Sequence, residues 1–532
     1  MQIDYHGRGE EMSGSKYILT VDVGSGSVRA ILFNIDGDQV ATSQREWLPI
    51  SIPEYPGSQD FDAQSTSELI AKCIREVISK SGVKPDDISG ITATSLREGI
   101  VLYDNKQEVI WACTNTDARA TGEVEEMVSE GLGEPVYRTG GDWLNIISPA
   151  RFRWIKGHLP DVYERIDRVN MISDWVLYMM SGNLVTEPSC GSSSGIFDLK
   201  ERTWSKELID LLDLPEDIYP SVYEPGSIIG EVSENIAQAT GLKAGTPVIT
   251  GGGDTQMGLA GSGSVRPGMF TVVGGTFWQT ALVTDYPLID PGFRMRTLCH
   301  AVRDQWMTEG IGFFHGFTMR WFRDGFCLTE KEEALKKQTD PYDLMEKLAA
   351  GIPPGSNGVQ AIFSNIMDAR QWKHAVPSFV GFDIMRPEST GKAACIRALE
   401  EHAAYTSRAH FKILTDISGI KADMITFCGG SSRGTLWPAI ISDVLGVPVR
   451  VPVVKESTAL GAAMFAGMAL GWYSDIADAA DRIVKWERVI EPDKENRKAY
   501  DEHYELWCRV YPYLMSIADD GILPSMWRAP GV

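Results

Sequence analysis

The stretch DVGSGSVRA, residues 22–30, decides the fold. It follows an apolar strand at Tyr17–Val23 and runs straight into a second strand at Val28–Phe33, so its glycines and serines turn a hairpin. Asp36-Gly37 gives another hairpin signal before a strand near Gln39–Trp47. In a dinucleotide-binding unit the glycine turn would open a helix instead. A turn built of small residues lets backbone N–H groups and hydroxyls close on phosphate oxygens. Asp22, at the strand end, is placed to hold Mg²⁺ through water, since magnesium keeps much of its hydration shell. Taken alone, the turn is equally consistent with an ordinary β-hairpin.

Working outward, helical spacing spans Ser65–Ser81 and a strand follows at Ile88–Ser95. A second opening of the same kind lies past residue 240. The strand Pro247–Gly251 leads into Gly251-Gly252-Gly253-Asp254, and the strand Met269–Val273 ends in Gly274-Gly275-Thr276 before Phe277–Val283 continues. Two hairpins, one per domain, can pinch a triphosphate from both sides, and their likeness suggests duplication of one α/β unit. A third turn, Gly429-Gly430-Ser431-Ser432, follows the strand Met424–Cys428 and precedes helical spacing at Leu436–Leu445. Its glycines would let a base or ribose lie on the main chain, with Trp437 on the covering helix. A plain strand–helix turn with a serine cap reads as well. The small residues of Glu456–Ala463 suit close helix packing.

Asp254 is the candidate base, a carboxylate at a strand end that can project into a cleft and take a hydroxyl proton. Its bland alternative is an N-cap for the segment Thr255–Ala260. Arg97-Glu98 follows the strand at Ile91–Ser95, and Asp117 with Arg119 comes after Trp111. Such pairs suit a polyhydroxylated ligand, with Arg donating and Glu accepting, or else are exposed loop ion pairs.

The 532-residue length points to two domains, divided near residues 255–268. The expected units are a loose tail at 1–15, a substrate-binding domain at 16–262 and a nucleotide-binding domain at 263–532 ending in a helical extension. The net charge of -22 argues against a nucleic-acid or anionic-membrane surface. Eight scattered cysteines include no CxxC pair, which fits reduced thiols. No apolar run is long enough for a membrane span, so a cytoplasmic protein is expected. The oligomeric state is left open, with a homodimer among the expectations.

Together these pieces resemble the FGGY family of carbohydrate kinases, within the actin-like, ribonuclease-H-like ATPase superfamily. The resemblance runs from about Lys16 past residue 470 and rests on motifs in one order. They are DVGSGSVRA, SLREGIVLYD at 95–104, SDWVLYMMSG at 173–182, GGGDTQMGLAG at 251–261, VVGGTFWQ at 272–279, FCGGSSRGTLWPAIISDVLGVPV at 427–449 and KESTALGAA at 455–463. It implies a two-domain α/β fold with an interdomain cleft and ATP-dependent phosphorylation of a small sugar-like hydroxyl, with Mg²⁺. It matches Asp22, Gly24, Ser25, Ser27 and Arg29 to the first phosphate hairpin, Gly274, Gly275 and Thr276 to the second, and Gly429, Gly430 and Ser431 to the adenosine loop. Asp254 becomes the base, with Asp22 and Asp254 toward the metal. Arg97, Glu98, Asp117 and Gln256 fall with Asp254 on the substrate side.

Further runs, among them IWACTNTDARA, TMRWFRDGFC and the ending SMWRAPGV, resemble family members acting on linear 4,5-dihydroxy-2,3-pentanedione at its C5 hydroxyl. Asn145-Ile146-Ile147-Ser148 replaces a stretch where glycerol kinases carry a tyrosine, and Thr255 stands where they carry glutamine. A smaller, more apolar wall suits a deoxygenated dione better than a polyol. The competing readings are a pentulose kinase, a non-catalytic sensor of the signal, and a filament or chaperone ATPase.

Overall fold

In the computed structural model the described residues are 16–364, 366–454 and 456–532; the expected tail at 1–15 lies outside them. The apolar runs read from the sequence become strands buried on both faces, as expected where helices cover a sheet on either side. β1 (Tyr17–Gly24), β2 (Ser27–Asn34), β3 (Gln39–Glu46), β4 (Ile88–Ser95), β5 (Ile228–Glu231) and β6 (Pro247–Gly253) form one sheet, ordered β5-β6-β4-β1-β2-β3. β1, β4 and β6 are parallel; the hairpin partners are antiparallel.

The second sheet contains β7 (Phe270–Gly274), β8 (Trp278–Thr284), β9 (Arg296–Cys299), β10 (Trp306–Phe313), β11 (Ile425–Cys428), β12 (Val449–Pro452) and β13 (Trp486–Ile490). Their order is β9-β10-β8-β7-β11-β12-β13. Leaving aside the edge strand β9, this repeats the first sheet strand for strand. Three antiparallel strands stand beside two more parallel to the first, and an antiparallel strand closes the far edge.

Each sheet anchors its own core. Leu19, Val21, Ile70, Ile74 and Trp175 pack in the first, and Val272, Trp278, Phe427, Tyr405 and Trp507 in the second. The helix Ala63–Ser81 covers the first sheet; the Asp62 carboxylate accepts the Ser65 N–H at its start, and Gly82 ends it at φ +68.

Two helices join the halves. Asp254–Gly261 and Ser457–Ala469 cross so closely that a Cβ on Gly261 would stand 1.9 Å from the Ser457 carbonyl oxygen, and one on Gly461 1.9 Å from that of Met257. The small residues after Glu456 therefore do serve close packing. The second of these helices also reaches the first sheet, where the Thr20 hydroxyl donates to the Ala459 carbonyl at 3.2 Å.

Candidate active site

Parallel strand pairing assembles the site. Asp22 stands opposite Thr94, Val23 opposite Ser95, and Ser95 opposite Gly253. Asp22, Arg97-Glu98 and Asp254 therefore leave the first sheet at one edge, the carboxyl ends of its parallel strands, where open α/β sheets bind ligands. In the second sheet Val273 stands opposite Cys428, which sets Gly274-Gly275-Thr276 beside Gly429-Gly430-Ser431. These turns touch main chain to main chain. Gly429 has φ +91, and a Cβ there would lie 2.6 Å from the Gly274 carbonyl oxygen, so only glycine fits.

Two cavities open where the sheets face each other. The larger, about 660 Å³, is walled by both glycine turns of the second sheet together with Arg29 and Trp437. The Trp437 indole stacks on Trp278 at 5.1 Å, which fixes its plane. Arg29 bridges the halves, 3.0 Å from Asp22 and 2.6 Å from Glu456. The smaller cavity, about 420 Å³, takes in Asp254, Thr255, Arg97, Glu98 and Ser25, with an apolar side that includes Ile146 and Phe277. Asp22, Gly24 and Ser27 shape the first hairpin but line neither cavity.

Asp254 occupies the first turn of its helix, after Gly253 as N-cap, and its carboxylate accepts the Thr255 N–H at 2.7 Å. The side chain stays 37% exposed, toward the cleft, with Arg97 Nε 3.8 Å away. Desolvation pushes its pKa up to about 6; Arg97 pulls it down, and Glu98 and Asp22 push it further up. A carboxylate held there is poised to accept a proton near neutral pH.

Arg97 and Glu98 do not simply await a ligand. Arg97 Nη1 donates to Glu309 Oε1 at 2.7 Å, and Arg296 donates to Glu98 Oε1 while standing 3.4 Å from both Asp142 and Glu309. All five side chains are at most 5% exposed, and the network ties the first half of the chain to β9 and β10. Burial pushes Glu98 up, yet Arg296 and Arg97 hold it below its ordinary value, whereas desolvation carries Asp142 to about 6. Glu98 also has φ +61, strain that persists because Ser193 accepts its N–H and Arg151 binds its carbonyl.

Asp117 and Gln256 are placed differently. The Asp117 side chain has no exposure. Its carboxylate accepts from Arg119 Nε and from the Gln59 N–H at 2.7 Å, while Arg119 also pairs with Asp60 and lies between Trp111 and Trp154. Asp117 lines the smaller cavity, and these bonds hold its loop there. Gln256 is fully buried off both cavities, its amide donating to the Ser189 carbonyl at 2.8 Å and reaching that of Cys299 at 3.3 Å. A helix turn of 100° per residue points it away from the cleft that Thr255 faces.

Among the described residues no three His, Cys, Asp or Glu side chains cluster to hold a metal. Of the two expected carboxylates, Asp254 is open to the smaller cavity, whereas Asp22 is 3% exposed and held by Arg29. Mg²⁺ bound to a nucleotide needs only one or two carboxylates beyond phosphate oxygens and water, so Asp254 fits the ion directly and Asp22 only through water.

Arg296, Glu309, Asp142 and, at the chain end, Trp527 and Arg528 border or brace the smaller cavity and escaped sequence reasoning. The available signal was a lone charge inside an apolar strand, as at Arg296 and Glu309, since such charges are buried only when paired.

A nucleotide-sized cavity lined by paired glycine turns, adjoining a smaller one that holds an open carboxylate, defines a phosphotransferase with an alcohol acceptor. The family model described as FGGY family of carbohydrate kinases matches its N-terminal domain to residues 17–261 and its C-terminal domain to 272–470. The chain belongs to the FGGY family of carbohydrate kinases. It is 42% identical to the autoinducer-2 kinase of Salmonella typhimurium strain LT2, covering 97% of this chain and 98% of that one. It is 42% identical to the autoinducer-2 kinase of Escherichia coli strain K12, covering 98% and 99%. Solved structures share the fold. A xylulose kinase from Lactobacillus acidophilus superposes with TM-score 0.84 at 21% identity, covering 95% of this chain and all of that one. A glycerol kinase from Plasmodium falciparum with ADP gives 0.80 at 18%, covering 94% and 99%. Among the described residues no helix is long and apolar enough to cross a membrane.

Proposed function

We propose that the protein transfers the γ-phosphate of ATP to the C5 hydroxyl of linear 4,5-dihydroxy-2,3-pentanedione, the open form of autoinducer-2. The observation that carries the reading is Asp254, a carboxylate open to the smaller cavity with its pKa lifted to about 6. Near-full-length identity of 42% to two proteins named autoinducer-2 kinase supports the choice of acceptor. So does the apolar wall at Ile146 and Phe277, which suits a dione better than a polyol.

On this reading adenosine lies by Gly429–Ser431 and Trp437, the Gly274–Thr276 turn offers main-chain N–H groups to the phosphates, and Ser25 of the first hairpin meets the γ-phosphate from the adjoining cavity. Mg²⁺, when bound with the nucleotide, neutralises phosphate charge. Arg97 and Glu98 hold the acceptor's oxygens while their outer faces stay fixed by Glu309 and Arg296. The C5 oxygen bonds to the γ-phosphorus as its proton passes to the Asp254 carboxylate, and the bond from phosphorus to the ADP oxygen breaks. Closing of the halves excludes water and suppresses ATP hydrolysis. The reaction belongs in the cytoplasm, where ATP is available.

The test offers ATP, Mg²⁺ and a panel of the dione, xylulose, ribulose and glycerol to the purified protein, with products read by mass and NMR. Preference for the dione with phosphate on C5 upholds the proposal; preference for a pentulose or glycerol discards the acceptor. ATP binding with no transfer to any acceptor would favour the sensor. In Asp254→Asn, transfer should fall about 10²- to 10⁴-fold with ATP affinity retained, and unchanged turnover would remove Asp254 from the mechanism.

A further inference from the structure

The last residues of the chain return to the smaller cavity. After the helix Lys494–Asp519 the main chain runs alongside residues 372–375. The His374 N–H donates to the Trp527 carbonyl at 2.8 Å and the Ala529 N–H to the Trp372 carbonyl at 2.8 Å, so that Lys373 and Arg528 face each other as antiparallel main-chain partners. Trp527 packs its ring 4.3 Å from Phe313 and 5.2 Å from Trp372. The segment then crosses to the other half, where Gly531, at φ +74, sits so close to Val124 of the helix Thr121–Ser129 that a Cβ would lie 2.4 Å from its Cγ1. These contacts hold the end of the chain across the cleft, and Trp527, Arg528 and Pro530 line the same cavity as Asp254.

Three arginines face that cavity: Arg97, Arg296 and Arg528. The first two are buried and paired with Glu309 and Glu98. Arg528 is exposed at the rim, and its guanidinium makes no ion pair or hydrogen bond with the described residues. A free guanidinium at the rim of a pocket offers a planar fork of donors to carbonyl or hydroxyl oxygens.

We propose that Trp527–Pro530 forms a wall of the acceptor cavity and that Arg528 binds the oxygen-bearing end of the acceptor. This rests on the reading of the smaller cavity as the acceptor site. An apolar wall with one unpaired guanidinium fits a short acceptor rich in carbonyl oxygens, whose dipoles take charge-assisted hydrogen bonds without bringing a charge of their own.

The experiment measures initial rates for the full chain, Arg528→Ala and Arg528→Lys, varying ATP and then each acceptor of the panel. Arg528→Ala should raise the KM of the preferred acceptor about 10- to 100-fold, with the KM for ATP and the thermal midpoint unchanged. Arg528→Lys, which keeps charge but loses the fork, should recover part of that loss. An unchanged acceptor KM in Arg528→Ala overturns the proposal. So does a parallel rise in the KM for ATP, the mark of a structural prop. If the wild-type enzyme prefers a pentulose, the dione assignment fails, while Arg528 is judged by the pentulose KM. If no acceptor is phosphorylated, the acceptor-site reading and this proposal fall together.

Discussion

Replacing Arg296 by methionine removes the hub of the buried charge network while keeping much of its volume. In the native protein two guanidiniums, Arg97 and Arg296, face three carboxylates, Glu98, Asp142 and Glu309. In Arg296→Met one guanidinium faces the same three, in a space where no side chain is more than 5% exposed. Breaking a buried pair by deleting one partner costs about 3–5 kcal/mol, because the remaining charge is left desolvated. At roughly 2–4 °C per kcal/mol, the first unfolding transition should fall by about 10 °C near pH 8. The sign of the pH dependence follows from Glu98. Arg296 now holds its pKa below the ordinary value; without that cation, burial carries the folded-state value above the unfolded one, and Asp142, already at about 6, rises further. The folded variant then binds more protons than the unfolded chain, so its deficit should shrink as pH falls through that window. Removing a nearby positive charge should also raise the pKa of Asp254 and move the acid limb of kcat/KM to higher pH. Differential scanning calorimetry at pH 8 and pH 5.5, with pH–rate profiles, reads both effects. A midpoint like that of the wild type at pH 8 with an unshifted acid limb would refute the reasoning.

In the wild-type enzyme, log kcat/KM should climb with unit slope as pH rises to about 6 and then level, because Asp254 must be deprotonated to accept the hydroxyl proton. A profile flat to pH 5 would remove Asp254 as the titrating base. Gly429→Ala forces a side chain onto the Gly274 carbonyl at a left-handed backbone. Strain of about 1–3 kcal/mol at the junction of both turns should weaken ATP binding roughly 5- to 100-fold by calorimetry. Gln256→Ala removes the buried amide that donates to the Ser189 and Cys299 carbonyls. It should cost about 1–3 kcal/mol of stability while acceptor KM stays unchanged; a raised KM would return Gln256 to the substrate side.

Much of the architecture was legible because the signals are local. The first hairpin, the strand Ile88–Ser95 and the helix Leu436–Leu445 follow from short apolar runs broken by glycine, and they stand where the sequence placed them. Asp254 was readable for the same reason, as a carboxylate on a strand end after three glycines. Gln256 misled because nothing in a linear pattern says which way a side chain turns once its helix is packed.

By itself, then, the sequence determined the turns, the strands and the ends at which chemistry could be displayed, since steric limits on glycine and apolar periodicity act over a few residues. Only the tertiary structure decided the lining of the smaller cavity. Arg97 finds Glu309 across 212 residues, Arg296 finds Glu98 across 198, and the final segment closes against Trp372 and Val124. Buried charges must be paired wherever the fold brings a counter-charge, and that partner is chosen by the packing of two sheets, on which neighbouring residues carry no information.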